Sequence, residues 1–388
     1  MHIKTLLAAA MLASTAWAAL AAEPLKVGLI LPMSGPFSSY GKQIENGVRL
    51  YLRQNGDTFS GRKVELIVKD DTGAAPELSR RLAQELAVKD KVDILAGFAM
   101  TPSAFAAAPV SAEAKTPMII MNAGTSSITT KSPYIVRVSE TVPQFTWPMG
   151  AWAAKNGIKR VFTLVADFGP GYDAETYFKK AYTGSGGQIV GEVKVPLRNA
   201  DFAPFLQRIK DAKPDAVFVF LPAGELATAF LKGFRERDLA REGIKIIATG
   251  DLTDEDTVDA TGDVALGVVT SMHYSETHAS PENKAYTDAY YKAYPKTRPN
   301  FMSVGGYDGM HLIAEVLKKT GGDAAGDKFI AAARGMKWTS PRGPVAIDPA
   351  TRDIVQTVYI RRLERKDGKL VNTEFDSSFK ELRDPGKD

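Results

Sequence analysis

Apolar residues in this chain fall into short continuous runs that alternate with longer segments of helical spacing. Residues 26–31, 63–70, 93–96 and 117–121 read as buried strands, each ending in a loop rich in Gly, Pro, Ser or Asn. Between them, residues 41–55 carry Ile44, Val48, Leu50, Tyr51 and Leu52 near helical spacing. Residues 76–89 place Pro76 in the first turn and Leu78, Leu82, Leu86 and Val88 on one side, and residues 104–115 read as a third helix. Such alternation predicts a parallel sheet covered by helices on both faces.

Residues 134–138 are expected to leave this sheet, with a crossing at Ser139, Glu140 and Thr141. A second series then starts. Strands are expected at 160–166, 188–196, 216–221 and 244–249, with helices at 173–183, 202–211 and 226–241. The chain is expected to cross back near 267–274. The segments 281–294 and 305–320 are long helices without strand partners, so they are assigned to the first unit. A third crossing is expected near 337–341, before a hairpin of 355–364 and 369–375 joined through Asp367 and Gly368. The fold class is therefore α/β: two doubly wound three-layer lobes joined by a multi-segment hinge. Residues 22–139 plus 273–339 form one lobe and 140–272 plus 340–379 the other. Residues 380–388 are charged and read as a loose tail.

The first residues change the address. A positive start at Lys4, an apolar run over 5–18 and a small-x-small site ending at Ala21 read as a cleavable secretory signal over residues 1–21. The run is too short to span a bilayer. The composition of the whole 388-residue chain, 44% hydrophobic and 24% charged, is that of a soluble globular protein. Its net charge of +4 is spread along the chain, with no basic stripe to suit nucleic acid. Cysteine is absent, which excludes disulfides, thiolate catalysis and Cys-based metal centres. The expected location is a periplasm.

Enzyme signatures are missing. The loop Pro32, Met33, Ser34, Gly35, Pro36 lies where a dinucleotide fingerprint would, but its glycines do not form G-x-G-x-x-G. There is no P-loop and no nucleophile elbow. His273 and His278 flank Glu276 in what reads as a polar surface loop, and Asp251, Asp254, Glu255 and Asp256 lack calcium-loop spacing. Thr253 and Asp256 read as a capping box of a short helix. No metal, cofactor or catalytic residue is expected. The corner at Thr101 and Ser103, between a strand end and a helix start, offers hydroxyls and unpaired N–H groups suited to an anion. The alternative is that both residues cap their own helix.

The ordered set 26–36 with Tyr40 and Gly41, then 95–103, 117–125, 167–172 and 305–308, resembles the substrate-binding proteins of branched-chain amino acid ABC transporters. The resemblance covers essentially the whole mature chain. It implies a type I periplasmic-binding fold, a monomer that closes on a small carboxylate, and a membrane permease as partner. It also implies that Thr101, with Ala123, Gly124 and Thr125, holds the carboxylate, and that the second lobe contributes an aromatic from the loop of Phe168 and Tyr172. Asp251 matches the acid that holds an ammonium group. Phe168 stands where the amino-acid binders commonly carry Tyr, so aromatic or other organic acids are equally open as ligands. Phe168 packing between lobes and Asp251 capping a helix are the plainer readings. A sensor module using the same clamp is the alternative function.

Overall fold

The computed structural model describes residues 23–387, so the expected signal over residues 1–21 lies outside the described residues. The first half alternates as the apolar pattern requires: β1 (Leu25–Leu31), α1 (Ser38–Asn55), β2 (Thr58–Phe59), β3 (Arg62–Asp70), α2 (Pro76–Gln84), β4 (Ile94–Gly97), α3 (Thr101–Ala114), β5 (Met118–Ile120) and β6 (Ile135–Arg137). These strands make one sheet in the order β2-β3-β1-β4-β5-β6, parallel except for the short β2. Residues 134–138 do not leave the sheet as expected. Ile135–Arg137 pair in parallel with β5 as its edge strand, held there by buried Ile135 and Val136.

The second series comprises α4 (Val142–Lys155), β7 (Arg160–Ala166), α5 (Gly169–Gly184), β8 (Gln188–Val195), α6 (Ala203–Ala212), β9 (Ala216–Phe220), α7 (Glu225–Glu236), β10 (Lys245–Thr249) and β11 (Val269–Met272). Three helices follow, α8 (Pro281–Ala293), α9 (Phe301–Thr320) and α10 (Gly326–Ala333), and then β12 (Lys337–Ser340), β13 (Gly343–Ile347), β14 (Ile354–Lys366) and β15 (Lys369–Leu382). The second sheet runs β12-β13-β14-β11-β10-β9-β7-β8, with β15 on β14. α4 has no counterpart in the apolar periodicity. Pro143, Pro148 and apolar residues around its whole circumference hide the helical stripe.

Helices α8 and α9 pack on the first lobe. A Cβ at Gly306 would strike the Ile44 carbonyl of α1, and one at Gly305 the Met121 carbonyl. The Gly305-Gly306-Tyr307-Asp308 run is therefore a close-packing device. Asp308 accepts from Trp338 Nε1 at 3.0 Å and Ser340 Oγ at 2.8 Å and pairs with Arg342 at 2.9 Å, tying α9 to the chain's last passage between sheets. The hairpin turn has Asp367 and Gly368 both at positive φ, 49° and 80°, as a type I′ turn requires.

The tail is not loose among the described residues. β15 extends to Leu382, Ser126 Oγ donates to Asp384 Oδ2 at 2.6 Å, and Lys387 Nζ donates to Thr129 Oγ1 at 3.1 Å. Charge alone suggested solvent, but these charges have partners in the first lobe. The acidic run also differs from expectation. No capping box forms at Thr253; Asp254 and Glu255 are buried, held by Asn300 at 2.9 Å and by Arg361 at 3.1 Å. A helix start was read where a buried polar network stands.

Candidate functional site

Five strands of each sheet share one order: β3-β1-β4-β5-β6 in the first, β8-β7-β9-β10-β11 in the second. In such sheets the chain leaves β1 and β4, or β7 and β9, toward opposite sides, which opens a crevice at their carboxyl ends. The two crevices face each other. A cavity of about 40 Å³ lies between them, lined by Tyr40, Ala99, Met100, Thr101, Asn122 and Gly124 from the first lobe. Phe168, Pro170, Phe220, Pro222 and Asp251 line it from the second, and Glu140, Val142 and Phe145 from the first passage between lobes. The rims touch: Tyr40 Oη donates to the Ala223 carbonyl at 3.3 Å, and a Cβ on Gly169 would lie 3.2 Å from Thr125 Oγ1. A larger groove of about 630 Å³ opens at the other ends of β10 and β11 and shares none of these residues.

The first rim begins with a backbone turn. Gly97 has φ +99°, and a Cβ there would sit 2.7 Å from the Ile30 carbonyl oxygen. Phe98, fully buried, also takes a positive φ of 61°. This unusual pair swings residues 99–101 into the crevice. α3 starts at Thr101, and its N-cap is Met100, which offers no side-chain cap. Neither Thr101 nor Ser103 therefore caps the helix as the plainer reading held. Thr101 Oγ1 donates to Thr125 Oγ1 at 3.1 Å and accepts from the Thr125 N–H at 3.4 Å. Ser103 is buried away from the cavity, beside the Asp71 carboxyl.

The loop after β5 is clamped from below. Buried Arg137 donates to the carbonyls of Ala123 at 3.2 Å, Glu140 at 3.1 Å, Thr125 at 2.9 Å and Ser126 at 3.2 Å, and pairs with Asp353 at 3.0 Å. The clamp fixes Gly124 and Thr125 against the rim. Ala123 donates its N–H to Phe98 at 3.0 Å and does not line the cavity, so the amide expected to meet a carboxylate is already used.

In the second rim α5 starts four residues earlier than its apolar spacing suggested, at Gly169, with Phe168 as N-cap. Phe168 stacks on Phe220 at 6.2 Å. Tyr172 turns outward: it is 47% exposed, and its hydroxyl donates to Asp167 at 2.8 Å. It is absent from the cavity wall. Asp251 lies in a single helical turn after β10 and accepts from Thr249 Oγ1 at 2.8 Å. Burial pushes its carboxyl up to about 6, against the Thr249 hydrogen bond and the Arg361 charge. Burial, and next the charge of Asp251, also push Glu140 well above the carboxylate range. His273 is fully buried and His278 pairs with Glu374 at 2.9 Å, so the two rings have separate surroundings.

Thr101, Gly124, Phe168 and Asp251 thus meet at one cavity, with Thr125 directly behind; Ser103, Ala123 and Tyr172 do not line it. Sequence reasoning missed Tyr40, Asn122, Glu140, Phe145 and Phe220. The one available signal was an acid, Glu140, inside an otherwise small and uncharged crossing segment.

Two lobes of matching strand order, meeting at their strand ends around a small enclosed cavity, define a clamp-type binding protein. Residues 24–369 match the periplasmic binding protein family, and the chain belongs to it. It is 44% identical over 375 residues, 96% of each chain, to the Leu/Ile/Val-binding protein homolog 6 of Brucella melitensis biotype 1. A solute binding protein of an ABC transporter from Rhodopseudomonas palustris BisB5, in complex with 3,4-dihydroxybenzoic acid, superposes with a TM-score of 0.91 at 57% identity. That match covers 94% of this chain and 99% of the other. A counterpart from R. palustris HaA2, in complex with p-hydroxybenzoic acid, gives 0.90 at 44% identity with the same coverages. The chain is a substrate-binding protein of the ABC-transporter type. The family is one of binding proteins, not enzymes, and implies a periplasmic location and permease partners.

Proposed function

We propose that this chain captures an aromatic carboxylic acid. The observation that carries the reading is the stacked Phe168–Phe220 pair which, with Phe145 and Tyr40, gives the cavity ring-shaped apolar walls. The carboxylate lies toward Thr101 and Thr125, where the starts of α3 and α5 converge and supply N–H groups without helical partners. Relatives of 57% and 44% identity that hold benzoic acids support this choice. The passages after β6, after β11 and before β12 serve as the hinge, and contacts from both rims favour the closed arrangement. The protein works as an exported monomer that delivers its ligand to a permease rather than as a sensor.

A second reading keeps an apolar amino acid, with its ammonium group at Asp251. The buried position of that acid in the cleft favours it, as does the name of the Brucella relative. Thermal-shift measurements against benzoates and branched-chain amino acids separate the two. A ligand at a hundred times its Kd stabilises by about 2.7 kcal/mol, enough to raise Tm by several degrees. Benzoate-type acids are expected to give that shift. A shift with leucine and none with any benzoate would replace the first reading by the second.

A further inference from the structure

The cavity wall also holds acceptors that a carboxylate grip at Thr101 does not use. Glu140 is 3% exposed, lines the cavity, and has an Oε2 without a hydrogen-bond partner. His273 Nε2 stands 3.8 Å from it, beyond hydrogen-bond reach, and burial keeps that imidazole neutral. Asn122 Oδ1, also facing the cavity, is a second acceptor without a partner. Asp251 approaches from the second lobe with Thr249 on one carboxyl oxygen. Buried acceptors without donors are costly, and a site that keeps them selects the ligand that supplies the missing hydrogens.

An anion is a poor occupant beside two carboxyl groups. The ligand's own carboxylate is thereby directed to Thr101 and Thr125, and the opposite edge of the ring meets Glu140 and Asp251. Phenolic O–H groups suit that edge, since they donate without importing charge. We infer that Glu140 and Asp251 form a subsite for ring hydroxyls, which makes hydroxylated benzoic acids, and adjacent dihydroxy acids above all, the preferred ligands. This rests on the aromatic-acid reading. Glu140 stands on the first passage between lobes and Asp251 on the second lobe, so a ligand with two adjacent hydroxyls engages both only when the lobes close.

The test is calorimetric titration of the full chain with benzoate, 4-hydroxybenzoate, 3,4-dihydroxybenzoate and leucine. The native protein should bind the dihydroxy acid at least about 10-fold more tightly than benzoate, the worth of one satisfied buried acceptor. Glu140→Leu should lose that preference, and Glu140→Gln, which retains a donor and an acceptor, should keep it. If Glu140→Leu does not fold, the native series with Glu140→Gln decides alone. Equal affinities of the native protein for all three acids would overturn the subsite and leave the aromatic-acid reading standing. Leucine binding with no benzoate binding would overturn both.

Discussion

The two rims of the cleft occupy equivalent places in two sheets of the same strand order, yet they carry opposite chemistry. The first rim is small and polar: Thr101, Asn122 and Gly124, with helix-start amides and the Arg137 clamp beneath. The second is aromatic and acidic: Phe168, Phe220, Pro222 and Asp251. Topology fixes where ligand-facing loops emerge, and the side chains on them decide what is bound. On the proposed reading, one rim supplies donors to an anion, and the other a wall for a ring and acceptors for its far edge. Neither makes a complete site, so affinity depends on closure.

Changes on each rim should therefore have different signatures. The largest effect is expected for Phe168→Ala, which removes the stacked wall; affinity for an aromatic acid should fall by about 100-fold, the scale of a buried aromatic anchor, when followed by calorimetry. Retained affinity would mean that Phe168 only packs the lobes. Thr101→Val should weaken any carboxylate ligand by roughly 10- to 100-fold, the worth of a hydrogen bond to a charged group. Loss of its two hydrogen bonds to Thr125 should lower the melting temperature by a few degrees at most, and a lower Tm at unchanged affinity would assign Thr101 to the fold.

Asp251 sharpens the comparison through pH. Its carboxyl is pushed from 3.8 up to about 6 by burial, so the folded state holds the proton more tightly than the unfolded one. The native chain should therefore lose stability relative to Asp251→Asn as pH rises from 4 through 6. The upper limit is roughly 3 kcal/mol at 1.36 kcal/mol per pKa unit. Denaturant unfolding of both proteins at pH 4 and pH 7.5 reads the difference, and a gap that stays constant with pH would show that Asp251 is not buried as a charge. The smallest effect is expected for Tyr172→Phe. The outward hydroxyl meets only Asp167, so affinity should stay within about 2-fold, the scatter of a surface substitution.

Much of the architecture was legible because buried parallel strands announce themselves as apolar runs closed by Gly, Pro or Asn. What was not legible depended on partners far away in sequence. α4 is apolar all round because α5 and three strands of the second sheet surround it, and the terminal residues are ordered by Ser126 and Thr129 in the first lobe and by Asp353 just before β14. The places of Thr101 and Phe168 at the cavity wall were legible because each stands beside a strand end and a helix start. Tyr172 was misassigned because α5 begins at Gly169, which turns residue 172 onto the helix's outer face. Glu140 escaped because an acid in a crossing segment, though unusual there, carries no periodicity that says where its side chain points.

The central claim is that a ring acid, gripped at Thr101 and walled by Phe168, is the ligand. Isothermal titration of the ligand-free chain with 4-hydroxybenzoate and with leucine tests it most directly. The account predicts a saturable heat of binding for 4-hydroxybenzoate and none for leucine; saturable binding of leucine alone would contradict it.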